Sequence, residues 1–67
     1  MYSQIEIDAQ FEGKLQLIYL NQPESYNSLT QVMLGELRNA VHKFSNDGNV
    51  RCIAIAGKGK AFCAGQN

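Results

Sequence analysis

Polar and apolar residues alternate over Gln4-Ile5-Glu6-Ile7-Asp8-Ala9, the period of a strand with one buried face. Leu15-Gln16-Leu17-Ile18-Tyr19-Leu20 predicts a second, more apolar strand that lies deeper in the sheet. Phe11-Glu12-Gly13-Lys14 between them supplies the turn of an antiparallel hairpin, with Gly13 free to take positive φ. The period then changes. Leu29, Met33, Leu37, Ala40, Val41 and Phe44 recur at intervals of three and four, one stripe of an amphipathic helix. Ser28 with Gln31 reads as its capping box, with Thr30 as the alternative N-cap. Asn46-Asp47-Gly48-Asn49 ends it, Gly48 being suited to a left-handed position. Gly35, inside the helix, costs about 1 kcal/mol relative to alanine, which a close packing contact would explain. Cys52-Ile53-Ala54-Ile55-Ala56 is apolar on both faces, as in a central parallel strand covered on both sides.

The fold class is therefore α/β: a β-hairpin, a helix and a parallel strand reached by a crossover. Residues 1–67 form one unit with no internal repeat, linker or low-complexity tract. Three strands and one helix leave sheet faces and edges uncovered, so the chain reads as the N-terminal part of a larger domain or as one that needs a partner chain. A chain of this length buries only about 60% of its unfolded surface.

Composition narrows the functional classes. Six basic residues balance six acidic ones, which argues against a nucleic-acid or membrane-surface binder. The apolar runs are too short to cross a bilayer, and the first residues lack the basic and apolar regions of a signal peptide. The reading is a cytoplasmic protein. One histidine, His42, and two isolated cysteines, Cys52 and Cys63, supply neither a metal set nor a disulfide framework. His42 reads as a surface residue and Cys63 as a small packing residue. Glu6 and Asp8 read as the solvated face of the hairpin.

Two loops remain for chemistry. Asn21-Gln22-Pro23-Glu24-Ser25-Tyr26-Asn27-Ser28 is polar and irregular at the end of a strand, where α/β sheets gather ligands. Asn27 there reads as a brace, its side chain bonded to backbone. Gly57-Lys58-Gly59-Lys60-Ala61-Phe62-Cys63-Ala64-Gly65-Gln66-Asn67 is rich in small residues. Such a loop lets a ligand meet main-chain N–H and C=O groups directly. It fits neither the dinucleotide nor the P-loop glycine pattern. On spacing alone it is a tight surface loop or a ligand loop.

The wording of these loops carries a resemblance. Lys60-Ala61-Phe62-Cys63-Ala64-Gly65-Gln66-Asn67 and Asn21-Gln22-Pro23-Glu24-Ser25-Tyr26-Asn27-Ser28-Leu29 resemble two ordered segments of the enoyl-CoA hydratase/isomerase (crotonase) family, with a similar helix between them. The likeness spans essentially the whole chain. Gln22 stands where the family has a basic residue, Ser28 where it has alanine and Asn67 where it has aspartate.

The resemblance implies the N-terminal piece of a crotonase-like fold, built from β-β-α units. It implies an acyl-CoA substrate, with coenzyme A as part of the thioester and no prosthetic group or metal. It implies a homo-oligomer, trimeric or hexameric. The backbone N–H of Gln66 would be one of two oxyanion-hole donors. The Ala64 carbonyl would meet the adenine of CoA; Gly65, Gln66 and Asn67 would line the same channel, and Glu24 and Tyr26 would border it. Lys58 and Lys60 are candidates to attract CoA phosphates. The Ala-Gly-Gln wording leans to the phenylacetate-type isomerase branch. The family's second donor and its catalytic acids lie in later segments, and none of the acidic residues here matches one. Residues 1–67 alone are therefore expected to be inactive. Two other classes compete: a non-catalytic structural fragment that self-associates or needs a complementary chain, and a small nucleotide-binding module that uses the loop alone.

Overall fold

In the computed structural model, which describes residues 2–59 and 62, the alternating segments become strands β1 (Ile5–Gln10) and β2 (Leu15–Leu20). They pair antiparallel, Ile5 opposite Leu20 and Gln10 opposite Leu15. The hairpin turn holds three consecutive left-handed residues, Phe11 (φ 53°), Glu12 (φ 58°) and Gly13 (φ 86°). Helix α1 (Gln31–Ser45) carries the chain across to β3 (Cys52–Gly57), which runs parallel to β2 with Leu15 opposite Cys52 and Leu20 opposite Gly57. The strand order is β1-β2-β3.

The register puts Ile5, Ile7, Ile18, Leu20, Ile53 and Ile55 on one face of the sheet. Helix α1 packs chiefly against β1 and β2 on that face. Met33, Ala40 and Phe44 from its stripe meet Ile5, Ile18 and Leu20 to make the core, and Leu29, Leu37, Val50 and Ile53 close its margins. β2 is the deep central strand, as its composition predicts. β3 differs from expectation. Among the described residues it is an edge strand, not a central one covered on both sides, and it lies beyond the helix. Ile55 is 45% exposed as a result, and Cys52 is exposed and free.

The helix ends correct the capping assignment. Thr30, in extended conformation, is the N-cap, and its Oγ1 accepts from the Met33 N–H at 3.1 Å. Ser28 lies two residues ahead of that position, since the helix starts at Gln31, and its hydroxyl donates within its own loop to the Ser25 carbonyl at 2.9 Å. At the other end Asn46 is the C-cap. Gly48 is not among the positive-φ glycines; the Asp47 carboxylate makes the turn by accepting from the Asn49 N–H at 2.9 Å. Gly35 has no packing reason either. A Cβ there would meet nothing within 4 Å among the described residues. Gly35→Ala is therefore expected to raise stability by about 1 kcal/mol, the helix-propensity difference. Urea denaturation of the two chains measures it.

One brace has no signal in the sequence. Residues 2–4 are strapped to α1. Glu36 accepts from the Ser3 N–H (2.9 Å), the Ser3 hydroxyl (3.0 Å) and the Gln4 N–H (2.7 Å). The Tyr2 hydroxyl donates to Asn39 Oδ1 at 2.6 Å, and the Thr30 hydroxyl to Gln4 Oε1, also at 2.6 Å. Desolvation by itself would raise the Glu36 pKa. The bonds from Ser3, Gln4 and Ile5 outweigh it and hold the carboxyl below its ordinary value. A carboxyl with a lowered folded-state pKa stabilises the fold above its unfolded value and loses that contribution as pH falls through the folded one. Stability is therefore expected to decline as pH drops below about 4.5. Glu36→Gln should flatten that part of the profile, read by denaturation from pH 7 to pH 3. An unchanged slope would exclude the strap as its source.

Candidate functional site

The two loops singled out in the sequence meet at the C-terminal ends of the parallel strands β2 and β3. The chain leaves β2 at Leu20, whose carbonyl accepts from the Lys58 N–H at 2.9 Å, one step past the end of β3. Pro23–Ser25 forms a short 3-10 turn, with proline at its start supplying the fixed φ. Tyr26 (φ 53°) and Asn27 (φ 57°) then take left-handed conformations, which reverse the chain toward Leu29 and the helix.

Asn27 joins the loops. Its backbone N–H donates to the Gln22 carbonyl at 2.8 Å, and its Oδ1 accepts from the Gln22 N–H at 2.7 Å. Its Nδ2 donates across to the Lys58 carbonyl at 2.9 Å. The side chain is fully buried. The brace read from the sequence is there, and it reaches 31 residues along the chain. Beside it, Gly59 (φ 84°) lies against Pro23; a Cβ at Gly59 would stand 2.7 Å from the Pro23 Cβ. Only glycine fits that approach.

Glu24 and Tyr26 lie in the polar loop and face solvent, Tyr26 at 56% exposure. They stand at the same end of the sheet as Gly59. Phe62 is exposed as well. Lys58 makes surface contacts of its own. Its Nζ lies 3.3 Å from Glu6 Oε1 and 4.4 Å from the Tyr19 ring centroid. The register sets Glu6 and Tyr19 on the sheet face away from the helix, so the Lys58 charge is drawn to that face. Glu6 is thus an ion-pair partner as well as a solvated residue, and Asp8 accepts from the Gln10 side chain at 3.1 Å. Lys60, Cys63, Ala64, Gly65, Gln66 and Asn67, which carry most of the expected site, lie outside the described residues.

His42 is exposed on α1 beside Asn46, as a surface residue. Among the described residues no three His, Cys, Asp or Glu side chains group as metal ligands. No helix among them is long and apolar enough to cross a membrane. An open groove of about 580 Å³, lined by Phe11, Glu12, Lys14, Leu15, Arg51 and Cys52, sits at the opposite end of the sheet from the joined loops.

Residues 10–67 match the family model described as enoyl-CoA hydratase/isomerase. A protein of Dictyostelium discoideum named "Probable enoyl-CoA hydratase, mitochondrial" is 41% identical over 54 residues, 81% of this chain and 20% of its own length. The 1,2-epoxyphenylacetyl-CoA isomerase of Escherichia coli is 34% identical over 56 residues, 84% of this chain and 21% of that one. The crystal structure of an enoyl-CoA hydratase/isomerase from Mycobacterium paratuberculosis superposes with a TM-score of 0.92 at 34% identity, over 100% of this chain and 26% of its own. The chain thus spans about a fifth of the length of the curated relatives it matches.

Proposed function

The chain belongs to the enoyl-CoA hydratase/isomerase family, and from that premise we propose that it forms the N-terminal part of an enzyme that hydrates or isomerises acyl-CoA thioesters. One observation carries the reading at the level of the site. Asn27 and the Pro23–Gly59 contact hold the two family-like loops together at the carboxyl ends of parallel strands, the place where open α/β sheets receive ligands.

The chemistry follows from what a thioester needs. When water adds to an enoyl thioester, or when its α-carbon loses a proton, negative charge develops on the carbonyl oxygen. A fixed N–H in a dry pocket stabilises that charge without reorganising, and one such donor is worth about 3 kcal/mol of barrier. The proposed donor here is the Gln66 amide. Small neighbours, Ala64 and Gly65, give the thioester room. The Ala64 carbonyl and Asn67 would line the CoA channel, and Glu24 and Tyr26 its rim. CoA enters as part of the substrate, and the residues that move protons would come from later segments. Trimeric or hexameric assembly and a cytoplasmic location belong to the same proposal; the Dictyostelium relative is named as mitochondrial. The named isomerase and the named hydratase are similar to this chain at 34% and 41% identity, so the lean toward phenylacetate-type isomerisation rests on loop wording alone.

The test is turnover. The complete protein carrying this segment is expected to convert crotonyl-CoA or a related 2-enoyl-CoA, and residues 1–67 alone to convert none. Failure of the complete protein to bind or turn over any acyl-CoA would end the reading. So would turnover by the purified 67-residue chain, since one donor without an acid or base should not suffice.

A second reading has its own observation. β3 offers an uncharged edge, Cys52–Gly57, with Ile55 half-exposed, and such edges recruit further strands. Residues 1–67 on their own would then act as a self-associating structural fragment. Sedimentation would show a concentration-dependent oligomer; a stable monomer would count against it.

A further inference from the structure

If the chemistry depends on where a backbone amide stands, it depends on whatever fixes the loop that carries that amide. We propose that Asn27 is the positioning residue of the glycine-rich loop. Its carboxamide sets the spacing between the polar loop and the Lys58 carbonyl, and so sets the direction in which the chain leaves β3 after Gly59. The inference rests on the oxyanion reading above for its effect on turnover, but its geometry stands independently.

Among the described residues the four largest fully buried side chains are Ile18, Leu20, Met33 and Asn27. Three build the apolar core. The fourth is polar and lies at the junction of the two loops, where burying an amide is tolerable only if its hydrogen bonds are made. Both of its polar atoms are engaged there. Oδ1 takes the Gln22 N–H at 2.7 Å and Nδ2 gives to the Lys58 carbonyl at 2.9 Å. A carboxamide is planar and rigid, so these two bonds fix one loop against the other at a set distance. The residue also has a left-handed backbone, φ 57°, which asparagine accepts more readily than other non-glycine residues. The same side chain therefore serves the turn and the span across it. The closeness it maintains is real: Gly59 stands where any Cβ would lie 2.7 Å from Pro23. If the Lys58 anchor is lost, nothing else among the described hydrogen bonds ties that carbonyl to the polar loop.

Two substitutions separate the roles. Asn27→Asp accepts the left-handed backbone and still receives the Gln22 N–H, but an ionised carboxylate cannot donate to Lys58. Asn27→Leu keeps the branched shape, makes neither bond and also lacks asparagine's tolerance of the left-handed backbone. In the complete protein, Asn27→Asp is expected to lower kcat by roughly tenfold to a hundredfold, the scale of a small displacement at a reacting centre, with KM changed much less. Asn27→Leu should lower kcat further. Amide hydrogen exchange should quicken at residues 58–62 in both variants while α1 keeps its protection. The Gln22 amide should stay protected in Asn27→Asp and lose protection in Asn27→Leu. Wild-type kcat in Asn27→Asp, a loss confined to KM, or exchange that quickens throughout α1 would each overturn the proposal. Gln66→Pro keeps the two claims apart. If that variant is fully active, the oxyanion reading fails, and the exchange pattern at 58–62 still decides the role of Asn27.

Discussion

Replacing Gln66 by proline in the complete protein should reduce kcat by about 10²–10³-fold, the loss seen when one oxyanion donor is removed. Proline has no N–H, so the substitution deletes the proposed donor and leaves the neighbouring carbonyls in the chain. Gln66→Ala removes the side chain and keeps the donor, and should be nearly as active as the parent. The pair separates a main-chain role from a side-chain role, which one substitution cannot do. Steady-state kinetics on a 2-enoyl-CoA measure both. Full activity with proline would remove Gln66 from the mechanism, and equal losses in the two variants would move its role from the main-chain amide to the side chain. Because the donor matters most as charge develops, the loss should appear in kcat and in kcat/KM together.

Gly59→Ala should produce the largest loss of stability. Its φ of 84° lies in the left-handed region, which costs a residue with a Cβ roughly 1–2 kcal/mol. The new methyl would also stand 2.7 Å from the Pro23 Cβ and 3.5 Å from the Pro23 Cα, and relieving a forced contact of this kind costs roughly 1–3 kcal/mol. Together the effect is roughly 2–5 kcal/mol. Urea denaturation of the variant measures it. A double-mutant cycle then splits the two parts, because Pro23→Gly removes the atom that the introduced methyl would strike and leaves the backbone strain. In that background the cost of Gly59→Ala should fall to the conformational part alone. If it does not fall, the contact with Pro23 contributes nothing.

The hairpin, the helix and the third strand are legible because their periods are clear: two for Ile5 and Ile7, three to four for Met33, Leu37, Ala40 and Phe44, and an unbroken apolar run for Cys52–Ala56. The role of Asn27 as a brace is also legible, since a short amide in a polar loop has few other uses. Its far partner is not, because nothing local says that residue 58 comes back beside residue 27; the parallel pairing of β2 with β3 brings it there. The N-cap is ambiguous for a similar reason. Ser28 and Thr30 look equally suitable until the helix starts at Gln31, which leaves Ser28 in the preceding loop with its hydroxyl on Ser25. The helix C-terminus draws attention to Gly48, yet Asp47 makes the turn with its side chain. The apolar run of β3 predicts cover on two sides, which composition can request but three strands and one helix do not supply. Glu36 escapes notice because a carboxylate off the apolar stripe reads as solvated. Its partners are the backbone amides of Ser3 and Gln4, which have no sequence signal. Glu24 and Tyr26 are placed correctly in an exposed loop by Pro23 and the polar run around it.

The two margins of the sheet are unlike. The outer strand of the hairpin carries Glu6 and Asp8 along its length, so an incoming strand on that side would have to approach two carboxylates. The Cys52–Gly57 margin has no ionisable group besides a thiol. Accretion is thus biased to a single direction. A strand that lengthens this sheet would meet fewer charges beyond the third strand than beside the hairpin.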